Sequence, residues 1–152
     1  MTLHLTEVAV AVPLKVWQDP QGNVVLNASR EDCAVYFGCW IEAGIPANYL
    51  CRLRFQNAWA VRGFSLGTPP YKIEEIDYRS RIYYVENSRL LKEAVQQRTR
   101  DYPQWLSWDR KTYRHYVVSG HDNYFDIIAS EFTEEIIQRG EAGTLTYLID
   151  QA

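Results

Sequence analysis

The chain has 152 residues, a formal net charge of −3, and 47% hydrophobic against 23% charged residues. This composition is typical of a single globular domain that can bury a core without disulfides or metals, and it argues against intrinsic disorder. The negative net charge argues against binding to nucleic acid through overall charge. The apolar run at residues 8–14 is too short to span a membrane and lacks the flanks of a signal peptide, so we expect a soluble, cytoplasmic protein.

The first half of the chain predicts short antiparallel strands separated by turns. The clearest turn is Asp-Pro-Gln-Gly-Asn at residues 19–23, whose residue types favour reversal of the chain. Asn57 predicts a tight turn or bulge, and Gly67, Pro69 and Pro70 close this half of the chain. The strands predicted here cover residues 14–18, 24–27, 33–41, 49–56 and 59–64.

The three cysteines lie on apolar faces of these predicted strands. Alternation places Cys33 and Cys39 on one face, and Cys51 shares a face with Leu53 and Phe55. An odd number of cysteines without C-x-x-C spacing is not typical of a disulfide framework or a metal site. We therefore expect reduced thiols that pack in the core as small hydrophobic side chains, and we predict no metal or cofactor.

The second half of the chain predicts a strand followed directly by the main helix. Residues 82–85 form the strand, and Asn87 and Ser88 are good N-cap residues for a helix over residues 88–100. Pro103 ends this helix because proline cannot donate the next hydrogen bond. The apolar stripe of the helix consists of Leu90, Leu91, Ala94 and Val95.

The clearest hairpin joins residues 113–119 to residues 124–130 through the turn at residues 120–123. An even loop places Ser119 opposite Tyr124 and separates the side chains into two faces. The core face carries Tyr116, Val118, Phe125, Ile127 and Ala129, and the outer face carries His115, Val117, Asp126 and Ile128.

The C-terminal region gives weaker signals. Thr133 as a cap and Gly140 as a stop predict a short second helix near residues 133–139. Residues 143–152 are expected to form either a last strand or a flexible tail.

Runs of strands with hairpin connections and one main helix predict an α+β fold with a mostly antiparallel, curved sheet. A partly closed barrel is the alternative, because an antiparallel meander of this many strands often curls. No alternation of strands and helices supports a doubly wound fold.

Two residues of the hairpin form a candidate polar site. His115 and Asp126 would be diagonal neighbours on the outer, solvent-facing side, and a carboxylate that orients an imidazole is a general-base arrangement. No third group can be identified by spacing, and a surface contact between strands explains the pair equally well. His4, His121 and Asp122 lack the spacing of metal ligands, and no phosphate-binding loop or nucleophile elbow occurs.

The segment at residues 98–116 interleaves arginine with tryptophan and tyrosine, the residue types enriched at interface hot spots. We predict that it forms a protein interface. Packing of both tryptophans on the sheet as ordinary core is the simpler interpretation and the favoured one, and the interface is the prediction to test against it. Stacking of the rings on single-stranded nucleic acid is the least favoured. The predicted interface residues are Trp105, Trp108, Arg110, Tyr113 and Arg114.

Charge is unevenly distributed along the chain. Residues 72–116 carry ten basic and seven acidic side chains, whereas Arg139 is the single basic residue against seven acids after residue 116. These features favour a non-enzymatic interaction or adaptor module that binds another protein or forms a homodimer. A small-ligand-binding protein with an aromatic-lined cavity in a curled sheet is the alternative, and an enzyme that uses His115 and Asp126 is less favoured. The identity of a partner or ligand cannot be read from the sequence.

Overall fold

A computed structural model describes residues 5–29 and 32–138 of the chain. The strands are β1 (Val8–Ala11), β2 (Trp17–Gln18), β3 (Val25–Ala28), β4 (Cys33–Glu42), β5 (Ile45–Gln56), β6 (Ala60–Ser65), β7 (Lys72–Ile73), β8 (Ile82–Glu86), β9 (Arg114–Ser119), β10 (Asn123–Ala129) and β11 (Glu131–Gln138). The helices are α1 (Arg89–Asp101) and α2 (Trp105–Trp108). Neither of these two helices is both long and apolar enough to cross a membrane.

The strands form two sheets. The six-stranded sheet has the order β6-β10-β9-β8-β1-β7, and the five-stranded sheet has the order β11-β5-β4-β2, with β3 also paired to β4. The short β1–β7 pair is parallel, and the other pairs are antiparallel. The predicted α+β class with mostly antiparallel sheets is therefore confirmed. Within the described residues neither sheet closes into a barrel, so the barrel alternative is wrong.

The two sheets pack face to face around one hydrophobic core. The alternation of apolar residues along β4, β5 and the β9–β10 hairpin accounts for it, because every second side chain points to the same face. The five-stranded side contributes Val16, Val24, Cys33, Val35, Phe37, Cys39, Ala47, Cys51, Leu53 and Phe55, and the six-stranded side contributes Ile82, Tyr116, Val118, Ile127 and Ala129. The core faces predicted for these strands are confirmed.

The β9–β10 hairpin has the predicted register, with Ser119 opposite Tyr124 and Val118 opposite Phe125. Its turn is closed by a hydrogen bond of 2.7 Å from Gly120 N–H to the carbonyl of Asn123. A Cβ atom at Gly120 would lie 2.8 Å from the backbone nitrogen of Val24, so a larger residue there would displace the neighbouring chain.

Helix α1 begins and ends where its sequence predicts. Ser88 is the N-cap, and its Oγ accepts a hydrogen bond of 3.0 Å from the N–H of Leu91. At the other end, the N–H of Tyr102 donates to the carbonyl of Arg98, and Pro103 follows. The helix packs on the outer side of the six-stranded sheet, with contacts to β9.

The helix predicted near residues 133–139 is wrong, because β11 occupies residues 131–138 as a strand. This strand pairs with β5 along eight residue pairs, from Glu131 opposite Gln56 to Gln138 opposite Tyr49. The open edge of β5 supplies hydrogen-bond partners that outweigh the weak local preference for a helix. Strands β1 and β7 were also missed, since the first is a short apolar run and the second has two residues. Residues 143–152 lie outside the described residues.

None of the three cysteines forms a disulfide, and all three are buried, in agreement with the prediction. Burial raises the pKa of the Cys33 thiol to about 11, with a smaller contribution from Asp32. Burial also raises the pKa of Cys51. A buried thiol with a raised pKa is a poor nucleophile at neutral pH because almost none of it is thiolate.

We expect thiol labelling of the native protein by Ellman's reagent to be slow, and labelling in denaturant to be fast and complete for Cys33, Cys39 and Cys51. A reductant should leave the thermal unfolding temperature unchanged, because the cysteines form no disulfide. Rapid labelling of two or more thiols in the native protein would contradict the assignment of these residues to the core.

Candidate functional site

His115 and Asp126 lie at the centre of a buried polar network on the outer side of the six-stranded sheet. The predicted diagonal pairing is confirmed, since His115 Nε2 lies 2.7 Å from Asp126 Oδ1. The expectation that the pair faces solvent is wrong, because the two residues are only 1% and 0% exposed. Ser88 at the start of α1 and the ring of Tyr71 cover them. The Tyr71 ring meets the imidazole edge-on, with 5.3 Å between the two ring centres.

The Asp126 carboxylate accepts hydrogen bonds from three side chains. His115 Nε2 and the Tyr71 hydroxyl reach Oδ1 at 2.7 and 2.9 Å, and Arg62 Nε reaches Oδ2 at 2.8 Å. Burial alone raises the pKa of Asp126, but the hydrogen bonds from His115, Arg62 and Tyr71 outweigh it and leave that pKa below its ordinary value. The carboxyl is therefore ionised at neutral pH, as its pairing with Arg62 requires.

The network continues from His115 to the start of helix α1. An ionised carboxylate can only accept, so His115 Nε2 carries the proton that it donates to Asp126. Its Nδ1 lies 2.7 Å from Ser88 Oγ, the same oxygen that caps α1. The chain Ser88–His115–Asp126 thus ties the first turn of α1 to both strands of the hairpin.

The order of these three residues is that of a serine nucleophile, a base and an orienting carboxylate. A serine nucleophile has to reach a substrate carbonyl, however, and Ser88 is 5% exposed while its oxygen serves as the helix cap. His115 is equally unsuited to act as a general acid or base, because its buried imidazole does not reach a substrate. Arg62, whose side chain is 47% exposed, connects this network to the surface.

Arg62 and Tyr71 line a cleft of about 630 Å³ between α1 and the chain that precedes and follows Tyr71. This volume is in the range of small-molecule sites. The cleft lies outside the six-stranded sheet and is lined by charged as well as apolar groups. It therefore differs from the aromatic-lined cavity inside a curled sheet that the ligand-binding alternative predicted.

The second notable arrangement is a cluster of aromatic rings around the guanidinium of Arg98, here called the Arg98 cluster. The carbon of the guanidinium lies 4.4 Å from the ring centre of Trp59, 4.7 Å from Trp105, 5.1 Å from Trp108 and 5.7 Å from Tyr113. Contacts of this kind are favourable because the cation lies against the negative faces of the rings.

Asp109 completes the Arg98 cluster with negative charge. Its Oδ2 accepts from Tyr113 at 2.6 Å and from Arg98 Nη1 at 3.0 Å. The hydrogen bond from Tyr113 is the main cause that lowers the pKa of Asp109 to about 2. Burial acts against this shift, and hydrogen bonds from Lys111 and Arg98 act with it. Asp109 is therefore ionised across the physiological pH range, and the guanidinium stays paired.

The predicted interface residues divide between the interior and the surface. Trp105 is 5% exposed and belongs to the interior, whereas Trp108 is 61% exposed. Arg110 and Arg114 are exposed and Tyr113 is half-buried. The guanidinium of Arg114 lies over the ring of Tyr84 in the same chain, 4.6 Å from its centre. The core-packing alternative therefore holds for one tryptophan and not for the other.

Two acids of the acidic C-terminal region form their contacts away from this segment. The Glu134 carboxylate accepts from the backbone N–H groups of Lys15 and Val16 at 3.0 Å. Glu135 pairs with Arg52 at 2.6 Å and with Arg54 at 3.4 Å. These two acids therefore link β11 to β5 and to the chain just before β2.

Sequence reasoning missed Arg62 and Tyr71 at the polar site, and Leu106 among the exposed apolar residues. Arg62 lies directly opposite Asp126 in the β6–β10 pair. Both strands were predicted, but their pairing joins segments 64 positions apart in the chain, and nothing local in the sequence indicated it. Tyr71 joins from a segment without regular structure, and no local signal marks it.

Comparison of the chain with protein-family models, with curated proteins and with solved structures finds no match. In residues 5–29 and 32–138, no group of three or more His, Cys, Asp or Glu side chains could hold a metal ion.

Proposed function

We propose that the protein is an interaction module that associates with a second copy of itself through the surface around α2. The observation that carries this proposal is the exposure of three large apolar side chains within seven residues, 102–108. Tyr102 is 61% exposed, Leu106 is 66% exposed and Trp108 is 61% exposed. Grouped apolar surface of this kind marks interaction sites, and aromatic residues dominate the energetics of interfaces.

The side chains around α2 are held in place by contacts with other residues of the same chain. Trp105 points inward from α2 and donates from Nε1 to Thr99 Oγ1 at 3.0 Å. One side of Trp108 lies against Arg98, and its ring meets that of Tyr102 edge-on at 6.5 Å. Side chains held in this way lose little conformational entropy when a partner binds, which favours association.

Charge around the patch supports a second copy as the partner. Asp101 directly precedes Tyr102, and Arg110 lies two residues after Trp108. Both charges are exposed, and neither has an ion-pair partner within the described part of the chain. A two-fold arrangement that places Asp101 of each copy near Arg110 of the other would make both the apolar and the charged groups of the contact complementary.

Sedimentation velocity over a concentration series tests this proposal. We expect the wild type to form dimers, and the double variant Leu106→Ser, Trp108→Ala to sediment as a monomer. The matched control is Tyr78→Ala, which removes a ring that is 86% exposed elsewhere on the surface and should sediment like the wild type. Circular dichroism checks that each variant is folded. A wild type that remains monomeric at about 0.5 mM contradicts the proposal, since such a contact would be too weak to function.

A further inference from the structure

The geometry points to the cleft beside α1 as a binding site for a small organic anion, a carboxylate or a phosphate monoester, which Arg62 and Lys72 would hold. This site is separate from the surface around α2. The inference begins with Arg62, whose guanidinium is anchored at one edge and open at the other. Its Nε bonds to Asp126 at 2.8 Å and its Nη2 lies 3.4 Å from the Tyr71 hydroxyl.

The free edge of Arg62 is available to a ligand. Its side chain is 47% exposed although the carboxylate that holds it is fully buried. Within the described residues, Nη1 has no hydrogen-bond partner. A planar guanidinium fixed at Nε can direct its outer N–H groups at a carboxylate or phosphate in two-point geometry. Because Asp126 already orients the group, little conformational entropy remains to be lost on binding.

The buried part of the network explains how that orientation is kept. Asp126 is held by His115, and His115 reaches the Ser88 cap of α1. Leu90 and Glu93 of the same helix line the cleft opposite Arg62 and Tyr71. The network therefore joins the two walls of the cleft. A buried carboxylate is rarely the most stabilising choice for a core position, so its presence here agrees with a positioning role for Asp126.

The charges that face the cleft decide the class of ligand. Lys72 lines the cleft, is exposed and has no ion pair with any described residue. The other basic group, Arg89, is already engaged by Glu7 at 3.6 Å. Lys72 thus remains as the unpaired charge for an anion, and Arg62, although Asp126 pairs with its inner edge, still offers outer N–H groups, whereas Glu93 opposes an anion. Apolar surface from Leu5, Pro70 and Leu90 suits the organic part of the ligand.

Isothermal titration at low ionic strength tests the inference with phenyl phosphate, benzoate, inorganic phosphate and, as a neutral control, benzyl alcohol. We expect saturable binding of phenyl phosphate or benzoate, and the tighter of the two identifies the anionic group. Phenyl phosphate should bind more tightly than inorganic phosphate because its ring can cover apolar surface. The absence of saturable binding for both aromatic anions would overturn the inference, as would equal binding of benzyl alcohol.

Three charge variants test whether the ligand of the cleft is an anion. Lys72→Gln should weaken binding of the preferred aromatic anion about fivefold or more, and Glu93→Gln should strengthen it about twofold, since each charge acts at short range. Arg100→Gln is the matched control, because this exposed arginine lies outside the cleft. Unchanged affinity in Lys72→Gln, or weaker binding in Glu93→Gln, would contradict the assignment of an anion to this cleft.

A double-mutant cycle tests whether Asp126 acts through Arg62. Arg62→Gln and Asp126→Asn should each weaken binding, and in the Arg62→Gln background the second change should have almost no further effect on affinity. The titrations are done well below the unfolding temperature of each variant. If the two effects on affinity are additive, Asp126 acts on binding independently of Arg62 and its positioning role is disproved.

Discussion

Replacing Asp126 with Ala is expected to lower the free energy of unfolding by about 3–5 kcal/mol, the range for removing one partner of a buried charged pair. The carboxylate accepts from His115, Tyr71 and Arg62, and it is 0% exposed. Its loss leaves the buried donors of His115 and Tyr71 without an acceptor, and each such group costs about 1–3 kcal/mol. Arg62 suffers less, because water reaches its outer edge.

Urea unfolding followed by circular dichroism measures this change. Asp122→Ala is the matched control, since Asp122 lies in the same hairpin and is exposed, and among the described residues its side chain has only a long contact of 3.9 Å, with His121. We expect that control to change stability by under about 1 kcal/mol. A loss of under about 1 kcal/mol for Asp126→Ala would place the residue on a solvated face and would contradict the buried network.

Replacing Ile127 with Ala is expected to cost about 2–5 kcal/mol, because the side chain is fully buried between the two sheets and its loss leaves a cavity. The matched control is Ile136→Ala on β11, an isoleucine that is 53% exposed. That change removes the same atoms from a position where water already covers half of them, so we expect a cost of under about 1 kcal/mol.

Urea unfolding measures the free energy of unfolding of both variants. The comparison is valid if the slope of the transition is the same as in the wild type, because only then does a shift in midpoint report a change in stability. Equal costs for both isoleucines would mean that Ile127 does not lie between packed sheets. A higher cost for Ile136 than for Ile127 would mean that the register of the hairpin is shifted by one residue, because such a shift moves every side chain to the opposite face.

The sequence by itself determined the elements that local signals control. The register of the β9–β10 hairpin follows from its short turn and from alternation, which places Val118 opposite Phe125. The start of α1 follows from Ser88, whose hydroxyl satisfies a backbone N–H of the first turn. The three buried cysteines follow from the alternation along β4 and β5. In each case the signal is local: either the interacting residues are close in the chain, or apolar residues repeat with the two-residue period of a strand.

Only the tertiary structure decided which faces are buried and which strands meet. His115 and Asp126 lie on the face that alternation assigned to solvent, yet Ser88 and Tyr71 cover them. Arg62 meets Asp126 because β6 pairs with β10 across 64 positions of the chain. Residues 131–138 are a strand because the edge of β5 pairs with them. These outcomes depend on contacts between distant segments, whose free energy of burial and pairing outweighs local preference and is not visible in any short stretch of sequence.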